Sequence, residues 1–446
     1  MITLDSYKHT FGGSVEAIAS KSFAHRLLIA AALSDTESEV ICNTTSKDIE
    51  ATIACLNSMG ASIRWDKKVL KVRPIPRKKA DGAENSTGKT AGEEICRIDC
   101  GESGSTLRFL LPILGILGLS TEITMHGRLS ERPLSPLYEE MERHGVSLSP
   151  QKTNPLLISG VMSGGDYVIA GNISSQYITG LLFALPNASV DSRICITGTL
   201  QSRPYVDITL SVLREFGIKI EETAPGMDSE YSVIFHVPGN QVYHPVKTYV
   251  VEGDWSNAAF FLTAGAINKT PVTVTGLRMD SLQGDRRILS LLQEFGADAK
   301  LLSREDGLTD ISVSEGEGGL HGIEIDASDI PDLVPILSVA AAFAEGTTRI
   351  RNIERLRIKE SDRVVTVIET ISGLGGTIRE EDGCIVIEGM KMINGGTVDS
   401  ANDHRIAMTA AIASIRCRGE VSITNPMAVE KSYPQFYDEL NKLIME

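Results

Sequence analysis

The sequence predicts an α/β protein in which one supersecondary unit is used six times, three units to a domain. Five helix-like stretches end at a glycine followed by a short alternating segment: Gly60-Ala61-Ser62-Ile63, Gly145-Val146-Ser147-Leu148, Gly217-Ile218-Lys219-Ile220, Gly296-Ala297-Asp298-Ala299 and Gly375-Gly376-Thr377-Ile378. The intervals between these glycines are 85, 72, 79 and 79 residues, a near-constant period that marks a repeated unit. Glycine suits these positions because helices commonly end on a left-handed residue. The length of 446 residues fits two or three domains with ample cores.

Upstream of each glycine, a polar tripeptide opens an apolar run. The tripeptides are Ser20-Lys21-Ser22, Gly104-Ser105-Thr106, Ser174-Ser175-Gln176, Asp254-Trp255-Ser256, Ser328-Asp329-Ile330 and, in a sixth copy without a terminal strand of its own, Asn402-Asp403-His404. Runs such as Leu27 to Leu33 and Val334 to Ala344 are too uniformly apolar for surface helices, so they read as buried helices with polar N-termini. Ser20, Ser174, Ser328 and Asn402 are the expected N-caps. Segments beginning at Ile194, Val272, Thr348 and Val421 alternate apolar and polar residues, as half-buried strands do. Pro74 to Glu94, rich in Lys, Gly, Ser, Thr and Glu, lengthens the first interval and reads as a solvated hairpin excursion.

The formal net charge of −15 argues against a nucleic-acid binder, which needs a basic face. Anionic ligands would instead need a local cluster of cations. Seven cysteines, an odd number without a secretory signal, read as reduced thiols of a cytoplasmic protein. The longest apolar runs fall short of the ~20 residues that span a membrane.

The helix starts are where chemistry concentrates. A helix N-terminus offers unpaired N–H groups and about half a positive charge, and Lys21, Arg26, Arg108 and Arg405 lie beside these starts. Arg132, Arg203, Lys359, Arg363 and Lys431 follow in loops. Asp332 and Glu360 are carboxylates among these cations, placed to accept a proton while held ionised. Other motifs fail. Gly88-Lys89-Thr90 has Ala83 where a phosphate-binding loop needs glycine. Gly101 to Ser105 ends in Ser where a nucleophile elbow needs glycine. Cys96 and Cys100 have no second cysteine pair to complete a zinc site. His404 reads as a structural residue at a helix start.

Nine motifs stand in order along the chain: Ser20-Lys21-Ser22-x3-Arg26, Gly101-x2-Gly104-x3-Arg108, Glu131-Arg132-Pro133-Leu134, Ser174-Ser175-Gln176, Ser202-Arg203-Pro204-Tyr205, Ile330-Pro331-Asp332, Lys359-Glu360-Ser361-Asp362-Arg363, Asn402-Asp403-His404-Arg405 and Lys431-x2-Pro434. In this set the chain resembles the 5-enolpyruvylshikimate-3-phosphate synthases, from about Gly13 to Leu440. The resemblance implies a two-domain inside-out α/β barrel of six units with buried parallel helices. One domain would run over 14–241 and the other over 1–13 plus 242–446, with the active site in the cleft between them.

The activity implied is transfer of the enolpyruvyl group of phosphoenolpyruvate to the 5-hydroxyl of shikimate 3-phosphate, with release of phosphate and no metal or organic cofactor. Carried over by position, Lys21, Ser22, Arg26, Ser174, Ser175, Gln176, Ser202, Asp332 and Lys359 are expected on shikimate 3-phosphate. Lys21, Gly104, Arg132, Gln176, Arg363, Arg405 and Lys431 are expected on phosphoenolpyruvate. Asp332 is expected to take the proton of the attacking hydroxyl, and Glu360 or Lys21 to protonate the vinyl carbon. A monomer acting on small anions, with neither nucleic acid nor membrane as partner, completes the expectation.

Three positions depart from the glyphosate-sensitive pattern of that family. Ser105 and Phe109 stand for its Thr and Pro, and Arg355 for an Asn that contacts the shikimate ligand. Two alternatives are an enolpyruvyl transferase acting on UDP-N-acetylglucosamine and a non-catalytic repeat protein that binds anions.

Overall fold

The six apolar runs form helices at Lys21–Ala32, Gly104–Ile116, Ser175–Ala184, Trp255–Ala266, Val334–Ala342 and His404–Ala413. In the computed structural model, which describes residues 1–5, 9–76, 95–226 and 229–445, nearly every residue of these helices is buried. From Val334 to Ala342 all nine are buried, so that helix has no polar face and must be covered on all sides. The expected excursion at Pro74–Glu94 lies, from residue 77 onward, outside the described residues.

The five glycines end amphipathic helices as expected. Gly60, Gly145, Gly217, Gly296 and Gly375 have φ of 107, 99, 77, 103 and 87°, a left-handed backbone that costs other residues strain. A strand follows at once except after Gly217, where it waits until Glu221–Thr223. The Gln241 side chain occupies the gap, accepting from the Lys219 N–H at 2.8 Å and donating to the Lys219 carbonyl at 3.0 Å. That satisfies the Lys219 backbone without a ladder.

Two of the expected helix starts differ. The Ser328 hydroxyl turns back to Asp326, and the helix begins only at Val334, because the residue before Pro331 is disfavoured in a helix. Asp403 rather than Asn402 caps the last buried helix, accepting from the Arg405 N–H at 2.9 Å. Ser174 does cap its helix, accepting from the Gln176 N–H. The Ser20 hydroxyl is buried without a hydrogen bond among the described residues, and Asp254 accepts from the Lys21 N–H at 3.0 Å.

Five four-stranded sheets share one pattern: an edge strand parallel to its neighbour, then two antiparallel strands. In the simplest copy, Cys96–Asp99 runs parallel to Thr121–Thr124, with Leu156–Gly160 and Val146–Leu148 antiparallel beyond. The buried helix forms the crossover between the two parallel strands, which a parallel pair requires. A sixth sheet pairs Gly396–Asp399 with Val421–Thr424, and Ile2–Leu4 adds the third strand the sixth copy lacks.

The chain divides into two compact units. A terminal unit holds Met1–Lys21, Thr44–Ser46 and Glu252–Glu446, and a central unit holds Ser22–Asn43 and Lys47–Val251. Each contains three of these six sheets, and in the terminal unit Thr10–Phe11 also pairs with Ile444–Met445. Each also borrows an edge strand from a distant stretch of sequence. Thr248–Val250 pairs with Ser38–Ile41 in the central unit, and Gly13–Glu16 pairs with Val272–Thr275 in the terminal unit. No disulfide joins any of the seven cysteines among the described residues. No helix among the described residues is long and apolar enough to cross a membrane.

Candidate active site

In the terminal unit, four elements bring acids and bases together. The turn before Val334 supplies Asp332, and the segment joining the short helix Glu354–Ile358 to the helix Arg363–Gly373 supplies Lys359, Glu360 and, as that helix's first residue, Arg363. The start of the His404 helix supplies Asp403, His404 and Arg405, and the turn Pro426–Lys431 supplies Lys431. Arg363 is the hub, only 2% exposed. Its Nε and Nη2 donate to the two oxygens of Asp403 at 2.8 and 3.2 Å, and its Nη1 to Asp332 Oδ1 at 2.7 Å. A guanidinium buried this deeply needs its N–H groups satisfied, and here carboxylates also neutralise its charge. Arg363, expected as a phosphoenolpyruvate contact, therefore has three N–H groups committed to carboxylates.

Asp332 also lies 3.2 Å from Lys359 Nζ and 3.6 Å from Arg405 Nη2, and its carbonyl accepts from Arg405 Nη1 at 3.0 Å. Burial would raise the proton affinity of Asp403, but the charge and hydrogen bonds of Arg363 together with His404 outweigh it and hold the carboxyl below the ordinary range. Burial opposes ionisation of Glu360 in the same way. There His404, Arg363 and Lys21 prevail, and the carboxyl stays well below its usual value. Glu360 Oε2 accepts from His404 Nδ1 at 3.0 Å and lies 3.9 Å from Lys431 Nζ. An ionised carboxylate only accepts, so the Nδ1 proton is fixed there. Burial, only partly offset by Glu360, lowers the proton affinity of His404.

The motif containing His404 was legible in the sequence, whereas its partnership with Glu360 was not, since 44 residues separate them. Glu360, Asp403 and His404 also hold ligand atoms within 4.8 Å of one another, as a cation site would. Their negative charge already faces Lys21, Arg363 and Lys431, so their surroundings fit ion pairing with side chains.

In the central unit, Arg203 at its helix start pairs with Asp207 and Glu222, whereas Arg26 and Arg108 meet neutral acceptors. Arg26 is buried. Its Nε donates to Thr209 Oγ1 at 2.8 Å, its Nη1 to the Ser22 carbonyl at 2.7 Å and its Nη2 to the Tyr205 carbonyl at 3.0 Å. Its guanidinium lies 4.9 Å from the Phe109 ring centre, and burial draws its pKa down to about 9. Ser202, at φ 54°, begins the Arg203–Glu215 helix without a side-chain cap bond.

Gln176 Nε2 donates to Ser105 Oγ at 3.0 Å, and Arg108 Nη1 donates to Gln176 Oε1 at 3.3 Å. Gly104, the first residue of its helix, is where two guanidiniums converge. A Cβ there would stand 2.5 Å from Arg132 Nη1 and 2.6 Å from Arg108 Nη1. A side chain there would push both guanidiniums back from that helix N-terminus, which itself favours anions.

Within the central unit the structure thus brings together Gly104, Arg132 and Gln176, with Arg108 added, and Arg26 with the Ser22 backbone. Within the terminal unit it brings together Asp332, Lys359, Glu360, Arg363, Arg405 and Lys431, and adds Asp403 and His404. Lys21 joins that set through its charge on Glu360 and its backbone bond to Asp254.

Against known proteins, residues 8–440 match the family model described as EPSP synthase (3-phosphoshikimate 1-carboxyvinyltransferase). The chain is 40% identical to the 3-phosphoshikimate 1-carboxyvinyltransferase of Clostridium novyi over 437 residues, covering 97% of this chain and 95% of that one. To the protein of the same name from Clostridium acetobutylicum it is 42% identical over 433 residues, with the same coverage. Among solved structures, EPSP synthase from Acinetobacter baumannii superposes with a TM-score of 0.77 at 22% identity, over 99% of this chain and 98% of that one. The enolpyruvyl transferase NikO from Streptomyces tendae gives 0.74 at 16% identity, over 99% and 96%. At those identities the two structures speak for the fold alone, but the family match spans nearly the whole chain, and this chain belongs to the EPSP synthase family.

Proposed function

We propose that the chain transfers the enolpyruvyl group of phosphoenolpyruvate to the 5-hydroxyl of shikimate 3-phosphate and releases phosphate, a step toward the aromatic amino acids. The observation that carries this reading is Asp332, a carboxylate 2.7 Å from Arg363 and 3.2 Å from Lys359 in a chain of this family. Both substrates are anions with a phosphate and a carboxylate, for which guanidinium forks and helix N-termini are suited. Carboxylates amid cations favour catalysis over a non-catalytic anion binder, and the names of the relatives favour shikimate 3-phosphate over a UDP-sugar acceptor.

In the proposed sequence Asp332 takes the proton of the 5-hydroxyl as its oxygen bonds to the central carbon of phosphoenolpyruvate. A proton added to the vinyl carbon completes a tetrahedral ketal. That carbon then gives the proton back as the carbon–oxygen bond to phosphate breaks, restoring the double bond. Glu360, held ionised by its neighbours, is better suited to taking the returning proton than to supplying the first one, which leaves Lys21 as donor. Lys21, Ser22, Arg26, Ser174, Ser175, Gln176, Ser202 and Lys359 are assigned to shikimate 3-phosphate, and Gly104, Arg132, Arg363, Arg405 and Lys431, with Lys21 and Gln176, to phosphoenolpyruvate. The six-unit inside-out barrel, with both domains serving one pair of substrates, belongs to the same proposal, as does a cytoplasmic monomer.

Phosphate release from phosphoenolpyruvate with shikimate 3-phosphate, and none with UDP-N-acetylglucosamine, is the expected result. In deuterated water the product should carry deuterium at its vinyl carbon. A complete reaction yielding undeuterated product would rule out the addition–elimination sequence, and release with the UDP-sugar alone would move the chain to the other acceptor.

A further inference from the structure

Asp285 lies in the short helix Gly284–Arg287 of the terminal unit, outside every motif considered so far, and is 3% exposed. Its Oδ2 contacts the Ser256 hydroxyl. Its Oδ1 is buried and has no hydrogen bond among the described residues. Ser256, in the first turn of the Trp255–Ala266 helix, accepts in turn from Arg405 Nη2 at 3.1 Å. The direction of this relay follows from the donors available. Arg405 only donates, so the Ser256 oxygen receives a guanidinium proton and its own hydrogen points to Asp285. The Asp332 carbonyl holds Nη1 of this guanidinium, and the Ser256 oxygen holds Nη2, so the relay fixes its second arm.

We propose that Asp285 is a positioning residue for Arg405, fixing the guanidinium through the Ser256 hydroxyl so that it is pre-oriented for the phosphate or carboxylate of phosphoenolpyruvate. This rests on the reading of Arg405 as a phosphoenolpyruvate contact. The surroundings of Asp285 agree with the role. Burial, then the neighbouring Asp332, raise its pKa to about 6, Arg405 and Ser256 pull it down, and Asp254 adds a smaller push upward. A carboxyl so poorly compensated has no reason to be buried for stability alone. Its bond to Ser256 aims it, through the relay, at the Arg405 guanidinium.

The test compares the full-length chain with Asp285→Ala, Asp285→Asn and Ser256→Ala, reading kcat and the KM of each substrate beside the melting temperature. Loss of a charge-assisted hydrogen bond to the anchoring group is expected to raise the KM for phosphoenolpyruvate about tenfold in both alanine variants. The KM for shikimate 3-phosphate should stay within about twofold, since that ligand is assigned other cations. Asp285→Asn keeps a carbonyl oxygen for the Ser256 hydroxyl, so it should return to within about threefold of the unaltered chain. An unchanged KM for phosphoenolpyruvate in Asp285→Ala, equal rises for both substrates, or an asparagine variant no better than alanine would each overturn the role.

Should the unaltered chain release no phosphate, the functional reading fails on its own. Binding of inorganic phosphate, followed by calorimetry, then decides about Asp285. Weaker binding in both alanine variants with recovery in Asp285→Asn sustains the role, and equal binding in all forms removes it.

Discussion

The two units hold their cations in different ways. In the terminal unit, Arg363 is held by the carboxylates of Asp403 and Asp332, and Lys359, Arg405 and Lys431 stand within 4 Å of Asp332 or Glu360. In the central unit, Arg26 and Arg108 donate to hydroxyls, carbonyls and an amide, all neutral. A buried cation whose bonds all go to neutral oxygens keeps its charge uncompensated, at a cost visible in the lowered pKa of Arg26. An arriving anion relieves that cost. A cation paired with carboxylates has less to offer an anion, but it holds those carboxylates ionised and ready for a proton. The contrast points to unequal duties, anion capture in the central unit and proton handling in the terminal one.

Breaking the terminal network should have the largest effect. Asp403→Asn keeps the cap on Arg405 and the shape of the site but removes the charge facing Arg363, and should cost about 3 kcal/mol of stability in denaturant unfolding. Because the Asp403 pKa is depressed in the folded state, the difference from the unaltered chain should be full at neutral pH. It should shrink as pH falls below about 4, toward the folded value. A difference independent of pH would mean that the loss is one of packing rather than of charge.

Next comes Asp332→Asn, which tests proton handling directly. Turnover should fall at least about 100-fold while both substrates still bind. If affinity drops and turnover does not, Asp332 only anchors hydroxyls, and the division between the units loses its chemical half.

The smallest effect tests the central unit. Gly104→Ala places a methyl group against the Arg132 and Arg108 guanidiniums and should raise the KM for phosphoenolpyruvate about tenfold, well beyond any change for shikimate 3-phosphate. Equal changes for both substrates would show that Gly104 serves local folding instead.

What the sequence revealed and what it hid follow one physical line. Apolar runs and terminal glycines are local signals, so the buried helices and the five left-handed helix ends were legible residue by residue. The apolar run from Val334 was legible, but Ser328 does not cap it, because Pro331 overrides its capping chemistry. The strands that complete the first and sixth sheets come from residues more than two hundred positions away, and no periodicity records such pairings. The same holds for the site. Arg363, Asp332 and Arg405 were visible as charged residues in motifs, but the pairing of Glu360 with His404 and the relay from Asp285 through Ser256 join elements that only the fold brings together.

The strand Ile2–Leu4 pairs with Val421–Ile423, and this sets a schedule for the chain during synthesis. The central unit has all its strands once Val251 has left the ribosome, and it is free to fold while the rest is being made. The terminal unit must keep its first strand waiting until translation passes residue 423, because closing so long a loop is an event of the finished polypeptide. At about 5–20 residues per second, that wait lasts at least about 20 s, during which the unpaired segment is open to chaperones and to other nascent chains.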